Sequence, residues 1–204
     1  MTTVVVTGTG TEIGKTYVTA ALARELRAQG VEVHARKPVQ SFAPDDTHTD
    51  ADVLAAATGE APHAVCPPHR WLPTPMAPPM AAAALGLDPF TIADLATEID
   101  TPGSGITLVE GAGGLRSPLA NDGDTLALIE LLRPQHVILV ADADLGTINA
   151  VRLNVAALRT RPVVFLNRFD PANDLHRRNH EWLKENDGFA VATAITELAR
   201  IEYG

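Results

Sequence analysis

The sequence predicts a single α/β domain built on a parallel sheet with helices on both faces. Apolar, β-branched runs recur at "TVVVTG", "VEVHARKPV", "ITLVEGAGG", "HVILVADAD" and "RPVVFLNRF". Most lack the alternation of a half-solvated strand, which suits strands buried on both faces. Helical spacing fills the segments between them, the pattern of right-handed crossovers. With 204 residues, 46% hydrophobic and 20% charged, the chain can bury one substantial core. No repeat or linker divides it, so residues 1–204 are read as one domain.

Composition narrows the partners. The formal charge of -9 opposes a nucleic-acid backbone. Cys66 is the only cysteine, so neither an intrachain disulfide nor a Cys/His zinc framework can be drawn, and a reducing cytoplasm is the expected compartment. No apolar run approaches the roughly 18 to 20 residues of a membrane span, and "MTTVVVTG" lacks a basic leader.

Taken in order, the first strand, Val4 to Val6, gives way at Gly8 and Gly10 to a helix whose apolar face repeats through Val18, Leu22 and Leu26, with Gly30 closing it. Gly8, Gly10 and Gly14 let backbone N–H groups approach an anion, Lys15 supplies a charge, and Thr16 offers a hydroxyl to magnesium. The loop nevertheless breaks two rules: Thr9 stands where Walker A needs glycine, and Ile13 where the dinucleotide pattern needs one. The second strand ends "RKPVQS", bringing Lys37, Gln40 and Ser41 to the same sheet edge, where a lysine can balance charge on a transferring phosphoryl group. In "DDTHTDADVLAAATG" a short helix ends at Gly59; Asp50 is favoured for metal and Asp52 held in reserve, N-capping being the alternative for one of them.

Residues 62–79 hold seven of the chain's 15 prolines and read as a long irregular loop. Two short helices follow, the second with Asp88 and Pro89 as N-cap and N1. Glu110 ends the next strand before a flexible Gly-Ala-Gly-Gly; a carboxylate there needs a partner or a metal, and magnesium or a salt bridge would serve. "ADADLGTINAVRL" places Gly146 and Thr147 at a helix start able to receive a carboxylate, or simply capped. Asn167 closes "VVFLN" with an amide suited to a nucleobase edge. His176 and His180 in "HRRNH" share a helix face but lack the zinc-protease glutamate, and read as solvated surface. Cys66 and Trp71 read as packing or loop residues.

In combination, "TGTGTEIGKT", "KPVQS", "TDAD", "VEGAGG", "ADLGTIN" and "LNRFD" resemble dethiobiotin synthetase, the ATP-dependent carboxylase that closes the ureido ring in biotin synthesis, over nearly the whole chain. That family's loop, Gly-Thr-x-Thr-x-x-Gly-Lys-Thr, is matched in full by residues 8–16, so the misfit to Walker A is a family trait. The resemblance implies a single-domain P-loop NTPase-like fold with ATP as co-substrate and Mg2+ as metal. Glu12, Ile13, Gly14, Lys15, Thr16 and Tyr17 would wrap the phosphates, and Thr16, Asp50 and Glu110 would hold magnesium. Lys37 would be the principal catalytic lysine beside Lys15 and Thr11. Gly111, Ala112 and Gly113 would lie by the γ-phosphate, Gly113 and Ser41 by the reacting substrate, and Asn167 by the adenine. The substrates implied are 7,8-diaminopelargonate and CO2; its carboxylate would meet residues 145–149 of a partner subunit, through Gly146, Thr147 and Asn149, in a homodimer. Residues 73–78, "PTPMAP", resemble the family's substrate-side loop. One departure is the tail "FAVATAITELARIEYG", which lacks the family's usual proline before the nucleoside.

The competing class is a regulatory or partitioning P-loop NTPase, which typically carries a further lysine early in the loop; "TGTGTEIG" has none. A nonenzymatic nucleotide-binding module would leave Lys37 and the helix start at 145–149 without purpose.

Overall fold

Six parallel strands form the central sheet of the computed structural model, which describes residues 2–201. Met1 and the last three residues of the tail, Glu202, Tyr203 and Gly204, lie outside the described residues. β1 (Thr2–Gly8) is buried throughout and runs into α1 (Lys15–Ala28), which packs Val18, Leu22 and Leu26 on the sheet. Gly30, at φ 83, donates to the Arg27 carbonyl while Val31 N–H reaches Leu26, the paired closure that ends a helix at a left-handed residue.

β2 (Val33–Arg36) is the edge strand, and its free side is covered. Ala35 N–H donates to Glu60 Oε2 at 2.9 Å and Lys37 N–H to the Val65 carbonyl at 2.8 Å, with Arg36 holding Glu60 from the side at 2.7 Å. Beyond it come β3 (Gln40–Ser41) and α2 (Asp50–Thr58), which ends at Gly59. Thr49 and Asp52 make a reciprocal capping box at the start of α2, so neither candidate aspartate is its N-cap.

Residues 62–79 are more regular than their prolines suggest. α3 (Pro62–Val65), a 3-10 turn at Pro68–Arg70, β4 (Trp71–Leu72) paired with β3, and the start of α4 (Pro78–Ala84) all lie within them. Proline occupies the first positions of each helical turn, where its missing N–H is not needed; here it starts helices instead of forbidding them. Asp88 and Pro89 likewise do not begin a helix. α5 (Ile92–Glu98) is capped by Thr91 and Asp94, a box that satisfies two orphan donors where a lone aspartate would satisfy one.

β5 (Ile106–Glu110) leads through a glycine-rich loop to the hairpin β6 (Pro118–Ala120) and β7 (Gly123–Asp124), then α6 (Thr125–Leu132), β8 (His136–Asp142), α7 (Thr147–Ala157) and β9 (Val163–Asn167). α8 (Asp174–Glu181) continues into a π-helical turn at Trp182–Asn186, followed by β10 (Ala190–Ala192) and α9 (Ile195–Leu198). The strand order is β10-β9-β8-β1-β5-β2. Val4 and Val6 face the core under α1, while Val5 joins Val109, Val137 and Leu128 on the opposite face, so successive side chains of β1 fill two cores. Register sets Val6 level with Glu110, and Asp142 level with Asn167. All carboxyl ends therefore open on one edge.

His176 departs from the solvated surface expected of it. It is buried, its Nδ1 accepts the Asp170 N–H at 3.0 Å and its Nε2 lies 3.0 Å from Asp144, because α8 turns this face onto the loop after β8. Its neighbours Arg177 and Arg178 carry the solvated role, bridging Asp174.

Candidate active site

Residues 8–16 leave β1 as a loop with two left-handed backbone positions, Glu12 at φ 59 and Gly14 at φ 90. A Cβ on Gly14 would sit 2.2 Å from Asn167 Nδ2, so only glycine fits there. That amide donates to the Ile13 carbonyl at 2.8 Å, and the Arg168 guanidinium donates to the Glu12 carbonyl at 3.0 Å. Lys15 folds back onto the Gly10 carbonyl at 3.2 Å. Burial, then the charge of Lys37, bring its ammonium down to a pKa of about 8.

At the centre of the edge, Lys37 Nζ lies 2.7 Å from Glu110 Oε1 and 2.7 Å from Asp50 Oδ2, and its third proton reaches the Gly111 carbonyl at 3.2 Å. Burial alone would lower the Lys37 pKa; the two carboxylates outweigh it and raise the value above that of an ordinary lysine. The same ammonium, with the Thr16 hydroxyl, holds the Asp50 carboxyl below its usual range. Thr16 Oγ stands 2.9 Å from Asp50 Oδ1 and 2.7 Å from Glu110 Oε1, yet a hydroxyl has one proton to give. Glu110 Oε2 is buried with no protein partner. That leaves an acceptor oxygen beside Thr16 and Asp50, a donor set of the kind a hard, oxygen-seeking cation takes; magnesium needs only one or two protein carboxylates.

Thr11, Glu12, Gly14, Lys15, Thr16, Lys37, Ser41, Asp50, Ala112 and Gly113 line one cavity of about 850 Å³, together with Pro75, Met76, Ala77 and Pro78. Gly111 is reached through its carbonyl by Lys37, and Ile13 faces the core. A second cavity, of about 520 Å³, joins Asn167 to Gly14, Tyr17, Arg168 and residues 193–195. Gly146, Thr147 and Asn149 line neither. They begin α7, with Gly146 at φ 95 and Leu145 88% exposed. Thr147 Oγ there is buried without a partner.

Three residues to which the sequence assigned no site role prepare this geometry. Buried Gln40 binds Thr49 and the Ala51 N–H, anchoring the start of α2 that carries Asp50. Ser117 Oγ accepts the Gly114 N–H at 2.9 Å and lies against Gly113, whose φ of 67 it helps to hold. Arg168 bridges the first loop to Asp142. Gln40 stood in the quoted "KPVQS" and Arg168 in "LNRFD", but no spacing rule connects either to its partner. Among the described residues no three or more His, Cys, Asp or Glu side chains cluster as a metal site, and no helix is long and apolar enough to cross a membrane.

A family model described as an AAA domain matches residues 2–203. The chain is 40% identical over 207 residues to a protein of Mycobacteroides abscessus named ATP-dependent dethiobiotin synthetase BioD, covering 98% of this chain and 88% of that one. Proteins of the same name from Haloferax mediterranei, at 39% identity, and Mycobacterium tuberculosis, at 42%, cover 92% and 80% of this chain, and 81% and 71% of their own. Among solved structures, chloroplast FtsY of Physcomitrella patens superposes with a TM-score of 0.54 at 16% identity, over 95% of this chain and 59% of its own. At that identity the likeness concerns the fold, a P-loop NTPase-like sheet.

Proposed function

The chain belongs to the ATP-dependent dethiobiotin synthetase family, and we propose on that premise that it converts 7,8-diaminopelargonate, CO2 and ATP to dethiobiotin, ADP and phosphate. The observation that carries this reading is the convergence of Lys37, Asp50 and Thr16 beside the loop of Lys15, in one cavity with Ser41 and Gly113, with Glu110 bonded to Lys37 and Thr16 from beneath.

One amine of the substrate adds to CO2, forming an N–C bond and losing a proton, to give a carbamate. A carbamate oxygen then attacks the γ-phosphorus, and the bond to the ADP oxygen breaks. The second amine attacks the carbamoyl carbon of this mixed anhydride; the C–O bond breaks, phosphate departs and the ureido ring closes with loss of a second proton. Each step calls for positioning and for positive charge where negative charge develops. Lys15 and the loop N–H groups bind the phosphates, while the ammonium of Lys37 supplies positive charge to the transferring phosphoryl group, exchanging its long bond to the Gly111 carbonyl for a phosphoryl oxygen. Thr16, Asp50 and Glu110 would hold Mg2+, which when bound neutralises phosphate oxygens. Ser41 and Gly113 orient the diamine end. No protein nucleophile is needed, and Cys66 is unsuited to be one: it is buried, and burial pushes its thiol up to about 12.

Asn167 keeps its carbonyl oxygen and one N–H for the edge of adenine, its other N–H being donated to the Ile13 carbonyl. The substrate carboxylate is received at the start of a partner's α7, at Gly146, Thr147 and Asn149, which makes the working unit a homodimer. Support comes from the exposed Leu145 and Leu153 and from the buried, unpartnered Thr147 hydroxyl at that helix start. A coupled assay tests the whole: ADP release must require both diamine and bicarbonate, and release independent of either overturns the assignment.

A further inference from the structure

Glu12 and Arg168 are two of the three non-glycine residues with positive φ among the described residues, at 59° and 57°, and they are bonded to each other. Left-handed backbone is unfavourable for an ordinary residue and persists where surrounding contacts over-determine it. Here the contact is identifiable. Arg168 Nη2 donates to the Glu12 carbonyl at 3.0 Å, while Nη1 is held 2.9 Å from Asp142 Oδ1 at the end of β8. One residue earlier, Asn167 Nδ2 donates to the Ile13 carbonyl at 2.8 Å from the end of β9.

The C=O and N–H of a trans peptide point in opposite directions. A carbonyl fixed toward the ends of β8 and β9 therefore fixes the N–H of the next residue away from them. The Arg168 bond sets the Ile13 N–H, and the Asn167 bond sets the Gly14 N–H; neither N–H has a protein acceptor among the described residues. Alternating left-handed positions at Glu12 and Gly14 make the kind of concavity whose N–H groups bind anions.

We infer that Arg168 is a positioning residue for phosphate binding: tied to Asp142, it holds Glu12 left-handed and aims the Ile13 N–H at the nucleotide's phosphates. Arg168 also lines the second cavity, so the pocket proposed for the base and the loop for the phosphates share one side chain. The inference rests on the proposed binding of a nucleoside triphosphate at this loop.

Binding of ATP and of tripolyphosphate, which has no base, separates the possibilities. Arg168→Ala should weaken both by roughly tenfold, the scale of one lost charge-assisted hydrogen bond. Asp142→Ala, which leaves the guanidinium present but unmoored, should weaken both in the same direction. In a Glu12→Gly background, where the left-handed conformation needs no hold, adding Arg168→Ala should cost less than about twofold. Loss of ATP binding alone, with tripolyphosphate unaffected, would make Arg168 a base contact and overturn the inference. So would an unchanged affinity for both, or an undiminished loss in the glycine background. A natural protein that binds neither ligand would remove the proposed function first, and the inference with it.

Discussion

Lys37 and Glu110 form an ion pair closed to solvent: their charged atoms lie 2.7 Å apart, with the lysine side chain 2% exposed and the glutamate 0%. Two consequences follow from that enclosure, one for rate and one for stability. Taking one partner from a buried pair strands the other, at a cost of about 3–5 kcal/mol.

Lys37→Ala should therefore lower the melting temperature as well as reduce turnover by at least about a hundredfold. The double variant Lys37→Met/Glu110→Gln, which strands no fully buried charge and leaves only the part-exposed Asp50 without its ammonium, should regain part of the lost stability and stay inactive. Thermal melts beside the ADP-release assay distinguish the effects; near-normal turnover in Lys37→Ala would end its catalytic assignment.

Asp50 and Asp52 are two residues apart and do different things. Asp50 faces Lys37 and Thr16, whereas Asp52 closes the capping box with Thr49. In magnesium titrations Asp50→Asn should raise the concentration for half-maximal rate by about tenfold or more. Asp52→Asn should leave it in place and cost about 1 kcal/mol of stability. The opposite ranking would reassign the metal ligand.

Lys15 yields a pH signature. Its folded value of about 8 lies below the ordinary 10.5, so between the two the unfolded chain binds more protons and stability rises with pH. Lys37 is shifted upward, so its contribution is fully present across that window and is lost only as pH climbs through its raised folded value. The Cys66 thiol, pushed up to about 12, works the other way above pH 9, so the signature is the difference between two proteins: from pH 8 to pH 10 in denaturant melts the natural protein should gain stability relative to Lys15→Met. Triphosphate favours the charged form, so ATP binding near pH 8.5 should take up a proton, seen by calorimetry in two buffers of different ionisation enthalpy. Equal heats in both would refute the depressed value.

If the site spans a dimer, two defective chains can complement each other. Heterodimers of Lys37→Met and Asn149→Ala should regain activity, since one of their composite sites carries neither change. Purified heterodimers that stay inactive would count against the shared site.

Strand ends were the legible part of this chain. Periodicity located all five quoted strands, and inspecting their carboxyl ends picked out Lys15, Lys37, Glu110 and Asn167 because parallel sheets bring those ends to one edge. Where residues act through partners distant in sequence, local pattern was silent. Arg168 meets a carbonyl 156 positions away, and buried His176 faces Asp144 across 32. The prolines of residues 62–79 misled for another reason: composition records that proline breaks structure, whereas its position within a turn decides whether it begins one.

The covered side of β2 bears on colloidal behaviour. An uncovered edge strand is a template for a second chain, and sheets that leave one bare can polymerise. Glu60 and the Val65 carbonyl occupy the Ala35 and Lys37 donors, so a foreign strand finds no complete ladder there. Glu60→Ala would reopen that ladder while leaving the catalytic groups in place, and its signature would be turbidity on concentrated storage in a preparation whose fresh specific activity is normal. The carboxylate serves shelf life, and it does so at the far margin of a sheet whose opposite concern is chemistry.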